Sequence, residues 1–218
     1  MIPSEAFSLS QAQVVVEALA TVAFALSGLI EAARKRLDAV GVVVVAGLTA
    51  FGGGTLRDVL LDRRPFFWVQ HAAWLWVLLA LCIGAMLFMR TRHLEPTERA
   101  MQWPDAVGLG LFAAGGTQIA LAAQMPAIVA VLMGMVTAVF GGVLRDIVCN
   151  QIPATFSDHR PYALCAFAGG WVLVGAQALE WPEPWPMAVA AACATLLRVA
   201  VLATGFKLPA WDVVAPGR

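Results

Sequence analysis

Charged residues are scarce in this sequence. Lys and Arg number 14 and Asp and Glu another 14 among 218 residues, 13% in all, whereas a soluble domain carries about 25%. The two signs balance, so no basic excess is available to bind nucleic acid. Apolar residues make up 61% of the chain, and the mean hydropathy is +0.79. These values exclude a soluble globular domain and indicate a membrane protein.

Patterns for metal binding and for catalysis are also missing. The four cysteines lie in apolar stretches without a C-x-x-C pair, and the three histidines stand singly, so the spacing of metal ligands is absent. No nucleophile is accompanied by a base. We therefore expect buried, reduced thiols, no cofactor, no metal and no enzymatic activity.

Long uncharged stretches take the place of these features. Five of them run for 18 residues or more, and eighteen helical residues rise about 27 Å, close to the roughly 30 Å apolar core of a bilayer. Two further spans contain a few charges. The fold class is thus all-α and polytopic with seven transmembrane spans, and the predicted spans are 14–33, 39–56, 72–89, 106–123, 125–144, 162–179 and 187–206.

The basic residues of the connecting loops predict the orientation. Nine of them fall on one face of the membrane and two on the other. Because basic loops stay in the cytoplasm, we expect a multi-pass protein of the inner (plasma) membrane, with its N-terminus outside and its C-terminus cytoplasmic. The nine are Arg34, Lys35, Arg36, Arg90, Arg92, Arg99, Arg160, Lys207 and Arg218, and the two are Arg63 and Arg64.

The sequence aligns with itself at a shift of 88 residues. Residues 49–65 and 137–153 are identical at eight of 17 positions, and the same shift pairs Glu17 with Asp105. Each copy holds three spans, an odd number, so the second copy enters the membrane from the opposite side. Inverted repeats of this kind place a pathway at the interface between the copies. The predicted units are a first repeat at 12–94, a second at 98–182 and a seventh helix at 186–206.

Consecutive glycines interrupt the second and fifth spans at equivalent places. They are Gly52, Gly53 and Gly54 in one span and Gly141 and Gly142 in the other. Glycine costs about 1 kcal/mol of helix propensity relative to alanine, so the glycines predict a kink or break that exposes backbone carbonyls to a cation. Close packing of two helices through small residues is the alternative.

Charged residues follow both glycine groups. Arg57 and Asp58 come three residues after the first, and Arg145 and Asp146 after the second. The arginines pair either across the repeats or each with its own neighbour, and the groups act either as structural clamps or in contact with a transported species. Arg198, inside the last span, is expected to pair with a carboxylate or with backbone carbonyls.

Two polar side chains lie within the first and fourth spans. Ser27 and Gln118 either line a polar route or, for Ser27, bond to the backbone of its own helix.

Taken together, these segments resemble a known family. The stretch S-G-L-I-E-A-A-R-K-R-L-D at 27–38 and the doubled G-G-x-L-R-D motif are similar to the prokaryotic trimeric intracellular cation (TRIC) channels, whose sequences are also described as putative glycine transporters. The resemblance covers about residues 12–206. It implies seven helices in a 3+3+1 arrangement, a homotrimer among membrane lipids, and a pore in each protomer for monovalent cations, K+ and Na+, with potassium favoured and the selectivity between the two left open.

The resemblance also implies which residues line the cation pathway. Phe24, Ser27 and Thr137 would lie on the pore wall and the glycines at the constriction, where Phe140 replaces one glycine and narrows the path. The resulting set is Phe24, Ser27, Thr49, Gly52, Gly53, Gly54, Thr137, Phe140, Gly141 and Gly142, with Arg57, Asp58, Arg145 and Asp146 beside it. A secondary transporter of a small neutral amino acid such as glycine is the alternative, because an inverted repeat suits both classes.

Overall fold

The computed structural model describes residues 9–92 and 97–209. All regular structure in these residues is helical, with seven helices of 16 residues or more and two of four residues. The end of the first predicted repeat, at 94, and Arg218 lie outside the described residues, as do the side chains of Arg90 and Arg92. The helices are α1 (Leu9–Arg34), α2 (Ala39–Leu60), α3 (Phe67–Gln70), α4 (Ala73–Arg92), α5 (Glu98–Ala122), α6 (Ala127–Val148), α7 (Ala154–Ser157), α8 (Ala163–Ala178) and α9 (Trp185–Thr204).

Five of these helices, α1, α2, α5, α6 and α9, are long and apolar enough to cross a bilayer. The apolar parts of α4 and α8, Ala73–Phe88 and Ala163–Ala178, are shorter. This confirms the prediction of an all-helical, multi-pass membrane protein.

Both glycine groups lie inside continuous helices. α2 runs without interruption from Ala39 to Leu60 and α6 from Ala127 to Val148. A break of either helix at the glycines is therefore wrong, and so is the expectation of backbone carbonyls freed by it. A kink at the glycines stays a prediction.

Four helices, α1, α2, α5 and α6, pack around one another at the centre of the molecule. α4 lies against α1 and α2 through Leu78 and Cys82, which join the buried apolar side chains of those helices. α8 and α9 pack on α5, and α8 also on α6. We call the four central helices the helical core, and the ionisable clusters described below lie inside it.

α2 and α6 cross at backbone contact. A Cβ atom on Gly53 would lie 2.0 Å from the carbonyl oxygen of Thr137, and one on Gly141 would lie 2.3 Å from that of Thr49. The two contacts are equivalent, since each residue stands 88 positions from its counterpart. The pairing of 53 with 137 and of 49 with 141 makes the crossing antiparallel, so the C-terminal ends of α2 and α6 point in opposite directions.

The turns that follow the helices repeat in the same register. Positive φ angles occur at Arg36 (54°) and Gln124 (59°), just after α1 and α5, and at Asp62 (49°) and Asn150 (55°), just after α2 and α6. Left-handed residues at these places are typical of helix C-termini. The 88-residue register of the sequence is thus present in the backbone as well.

Candidate functional site

A first group of buried ionisable residues joins α1 to the end of α2. This Arg57 cluster comprises Glu17, Arg57 and Asp58. The Arg57 guanidinium, 0% exposed, places Nη1 2.7 Å from Glu17 Oε1 and Nη2 2.7 Å from Asp58 Oδ1. Asp58 Oδ2 accepts the backbone N–H of Phe67 at 2.9 Å, and Arg57 lies 5.3 Å from the centroid of the Phe67 ring. The start of α3 therefore fixes the carboxylate that holds the arginine.

A second group occupies the equivalent place in the other half. This Arg145 cluster comprises Ser27, Asp105, Arg145, Asp146 and Tyr162. Arg145 Nη1 donates to Asp105 Oδ1 and to Ser27 Oγ, each at 2.6 Å, and its Nε donates to Asp146 Oδ1 at 2.8 Å. The Tyr162 hydroxyl donates to Asp105 Oδ2 at 2.7 Å. Both oxygens of Asp105 are thus bonded, and the cluster ties together α1, α5, α6 and the start of α8.

The two clusters share one charge composition. Each contains a single guanidinium and two carboxylates, an excess of one negative charge. A further arginine stands outside each of them. Arg63, on the solvent side, is 3.6 Å from Asp58, and Arg198 lies behind the Tyr162 ring with its Cζ 4.7 Å from the centroid.

The clusters lie on opposite sides of the α2–α6 crossing. Arg57 and Arg145 each follow their contacting glycine by four residues, and the two helices run antiparallel there. α1 contributes Glu17 to one cluster and Ser27 to the other. Ten helical residues separate them, a rise of about 15 Å.

Aromatic rings fill the space between the clusters. Phe24 stacks on Phe112 with centroids 5.4 Å apart, and the two side chains are 0% and 1% exposed. Thr49 and Thr137 are also fully buried, and their hydroxyls donate to the carbonyls of their own helices, at Val45 and Met133. The interior of the helical core is therefore packed, with the two rings at its centre.

The predicted pathway residues do not all come together. Gly54 faces the Phe67 ring beneath the Arg57 cluster, and a Cβ atom on Gly142 would lie 3.5–3.7 Å from side-chain atoms of Tyr162, Arg145 and Asp105. Phe24, Ser27, Thr49 and Thr137 are inside the helical core. Gly52 and Phe140 instead line an apolar cavity of about 550 Å³ on the outer side of α2 and α6. A role for these residues in conduction stays a prediction.

The geometry decides between the predicted arginine partners. Each arginine bonds the aspartate next to it, Arg57 to Asp58 and Arg145 to Asp146, so pairing across the repeats is wrong. For Arg198 the expected carboxylate or carbonyl partner stays a prediction: its Nε and Nη1 have no hydrogen-bond partner among the described residues, and its Cζ lies over the Tyr162 ring.

The two polar side chains of the helical core have partners in other helices. Ser27 Oγ accepts from Arg145 and donates to Asp105 at 3.3 Å. Its hydroxyl therefore bonds to other helices and not to the backbone of its own. Gln118 Oε1 accepts from Gln177 Nε2 at 2.6 Å.

Sequence reasoning missed three members of the clusters. Glu17 and Asp105 were recognised as repeat equivalents but were given no partner, although the arginines 40 residues after each of them share the same register. Tyr162 is the only tyrosine of the chain. A lone phenol at the start of an apolar span was the available signal, since buried tyrosine hydroxyls usually find a polar partner.

The four cysteines are free thiols in the structure. Cys82, Cys149 and Cys165 are buried, as predicted, whereas Cys193 is half-buried. Burial raises the pKa of the Cys149 thiol at the C-cap of α6. This thiol therefore stays protonated and unreactive at neutral pH.

Comparison with known proteins places the chain in a family. The sequence model of a family described as "Glycine transporter" matches residues 14–92 and 102–178, segments that begin 88 positions apart. A solved structure described as the TRIC trimeric intracellular cation channel orthologue from Rhodobacter sphaeroides is 33% identical, covers 89% of this chain and 98% of that one, and superimposes with a TM-score of 0.82. The chain belongs to the prokaryotic TRIC family.

Curated relatives of the chain are described as UPF0126 membrane proteins of bacteria. The inner membrane protein YadS of Escherichia coli is 32% identical over 208 residues, 93% of this chain and 98% of that protein. A membrane protein of Vibrio cholerae is 32% identical over 198 residues, 89% of this chain and 80% of that protein. The solved neighbour is an ion channel, which agrees with the prediction that this chain is not an enzyme.

Proposed function

We propose that this TRIC-family chain is a cation channel permeable to potassium, with one pore inside each protomer of a homotrimer. The observation that carries the proposal is the composition of the two buried clusters. Each holds two carboxylates and one guanidinium. An arginine alone beside a pore repels cations, whereas here each guanidinium on either side of the α2–α6 crossing is held by two carboxylates and carries no uncompensated positive charge. The Rhodobacter sphaeroides relative, described as a trimeric cation channel, supports the same function and assembly.

The proposed pathway runs through the helical core from the Arg57 cluster to the Arg145 cluster. It passes Thr49, Thr137 and the stacked rings of Phe24 and Phe112. Because the rings fill the centre, this conformation is the closed one, and opening moves them aside. Gly53 and Gly141 let α2 and α6 touch, which makes their crossing the pivot of that motion.

The proposed architecture is the inverted 3+3+1 arrangement of seven transmembrane helices. α4 and α8 then count as spans despite their shorter apolar parts. Equivalent contacts and turns at a spacing of 88 residues support the repeat. α9 is the seventh helix, without a counterpart in the first half.

Ion flux and glycine uptake distinguish the two functions. We expect purified trimers in liposomes to dissipate a potassium gradient, with no concentrative uptake of glycine. The matched variants Glu17→Gln and Asp105→Asn remove one carboxylate from each cluster and should lower the preference for potassium over chloride. Gradient-driven accumulation of glycine without potassium conductance would contradict the proposal and favour the alternative, to which the description of the family model points.

We also propose that the N-terminus is outside and the C-terminus cytoplasmic. A single cavity is lined by Arg34 at the end of α1, Glu98 at the start of α5 and Asp158 after α7, so three of the loops with predicted cytoplasmic location share one end of the molecule. In intact cells, an impermeant maleimide should label Arg64→Cys and spare Lys35→Cys. Labelling of Lys35→Cys from outside would reverse the orientation.

A further inference from the structure

A groove with a polar rim and an apolar floor lies between the start of α5 and the end of α9. Its volume is about 340 Å³. The rim is formed by Arg99 and Gln102 of α5 and by Arg160 of the loop before α8, and the floor by Val199 and Leu202 of α9. No residue of the two buried clusters lines it.

The basic groups of the rim have donors to spare. Arg99 is exposed and forms no ion pair with any residue that the structure describes. Arg160 Nε is 3.4 Å from Asp158 Oδ2 without forming a hydrogen bond. The acidic residue of the groove, Glu98, lies 3.7 Å from Arg34. Two guanidinium groups therefore face the groove with N–H donors that an acceptor can use.

A third arginine adds positive charge beneath the groove. Arg198 is 5% exposed, and its Nε and Nη1 have no hydrogen-bond partner among the described residues. It lines a small cavity of about 30 Å³ that shares Glu98 and Gln102 with the groove. Asp105, Asp146 and Asp158 line the same small cavity, but no described residue bonds the Nε or Nη1 of Arg198, so these two donors stay available to an acceptor.

The floor and one wall of the groove suit a hydrocarbon chain. Val199 and Leu202 are three residues apart and share one face of α9. Trp103, 52% exposed, stands beside them, in the position at a membrane interface that tryptophan prefers. A soluble anion gains nothing from contact with this apolar surface, whereas the acyl chain of a lipid packs against it.

We propose that this groove binds an anionic phospholipid, with the headgroup phosphate between Arg99 and Arg160 and an acyl chain along α9. Basic pockets between membrane helices recognise anionic headgroups in this way. The chemistry requires a phosphodiester with a net negative charge, as in phosphatidylglycerol. A zwitterionic lipid such as phosphatidylcholine also carries a phosphate, but its choline group meets the same arginines with repulsion.

The test is native mass spectrometry of the intact assembly, purified in mild detergent and mixed with equal amounts of phosphatidylglycerol and phosphatidylcholine. The wild-type protein should retain phosphatidylglycerol preferentially. Arg99→Gln and Arg160→Gln should each weaken its retention about fivefold. Lys35→Gln is the matched control, because it removes an exposed positive charge at the same end of the molecule but outside the groove.

Three outcomes overturn the proposal. If the wild-type protein retains the two lipids equally, the groove has no preference for an anionic headgroup. If Lys35→Gln loses as much phosphatidylglycerol as the groove variants do, the preference belongs to the whole basic end of the molecule and not to the groove. Binding of glycerophosphoglycerol, which lacks acyl chains, as tight as that of the lipid would assign the site to a soluble phosphate. Arg99 is exposed and unpaired, so its replacement leaves the fold intact and the comparison valid even where Arg160→Gln lowers the yield.

Discussion

At the scale of the residue, the burial of two arginines inside the helical core requires carboxylates at hydrogen-bond distance. Neighbours on a helix do not face each other, so sequence spacing alone left the partners open. In the structure each arginine side chain folds back along its helix. Its Nε donates a hydrogen bond to the adjacent aspartate, and its Nη1 forms an ion pair with Glu17 or Asp105. The Arg145 cluster has more hydrogen bonds because Ser27 and Tyr162 join it. Their equivalents at the 88-residue shift are Gly115, in the second half, and Trp74, in the first, which offer no hydroxyl.

The Tyr162 hydroxyl is expected to stabilise the Arg145 cluster measurably. Tyr162→Phe removes its hydrogen bond to Asp105 but keeps the ring under Arg198. A hydrogen bond to a charged group contributes about 1.5–3 kcal/mol, so the free energy of unfolding should fall by that amount in denaturant titrations in detergent. Ser157→Ala, which removes an exposed hydroxyl from α7 at the same end, should change it by less than about 0.5 kcal/mol. Equal stability of Tyr162→Phe and the wild type would mean that Asp105 is held by Arg145 alone.

At the scale of the helix, the sequence predicted the elements well and the role of the glycines only in part. Long apolar stretches, five of them uncharged and two with a few charges, located all seven long helices, since apolar length and burial in a bilayer are directly linked. The short helices α3 and α7 were missed because four residues leave no periodic pattern. For the glycines, the close contact of α2 and α6 confirms packing through small residues, whereas their part in a kink or in conduction stays a prediction. A helix interior in a membrane keeps its hydrogen bonds even at glycine, because freed backbone groups find no water there.

The contact of α2 with α6 predicts that even alanine is too large at its centre. A Cβ atom at Gly53 or Gly141 would lie 2.0 or 2.3 Å from a backbone oxygen of the other helix, and the helices must separate to admit it. Gly53→Ala and Gly141→Ala should each destabilise the protein by about 1–3 kcal/mol, despite alanine's better helix propensity.

The control for these variants is Gly175→Ala in α8, where nothing lies within 4 Å of the added carbon. It should be neutral or stabilise by up to about 1 kcal/mol. Thermal unfolding in detergent measures all three. If Gly53→Ala and Gly141→Ala unfold at the same temperature as Gly175→Ala, the contact between α2 and α6 is looser in solution than in the structure.

At the scale of the whole molecule, the 88-residue repeat is the feature of the sequence that recurs most widely in the structure. The shift of 88 residues recurs in backbone contacts, in turns and in both segments that match the family model. The departures from symmetry could not be predicted, because they depend on α9, which packs on α5 and α8 and has no counterpart beside α1 and α4. The sequence also did not predict that Gly52 and Phe140 face outward, because the rotation of a helix about its axis is set by packing in three dimensions.

The stacked pair of Phe24 and Phe112 predicts a variant with raised basal flux. Phe24→Ala removes one of the two rings that fill the path between the charged clusters, and the space left behind is open to water because polar groups flank it on both sides. We expect a faster potassium flux in liposomes in the absence of any stimulus. The same substitution should also cost about 3–5 kcal/mol of stability, so flux must be compared per assembled trimer.

Phe51→Ala is the matched control for this experiment. Phe51 is also buried, but it packs against Phe67 and Trp68 on the outer side of α2. Its loss creates a similar cavity away from the proposed pathway and should leave the flux unchanged. If both variants raise the flux equally, the increase reflects general loosening of the fold. If neither does, the two rings are part of the packing only, and the cation pathway lies elsewhere in the protein.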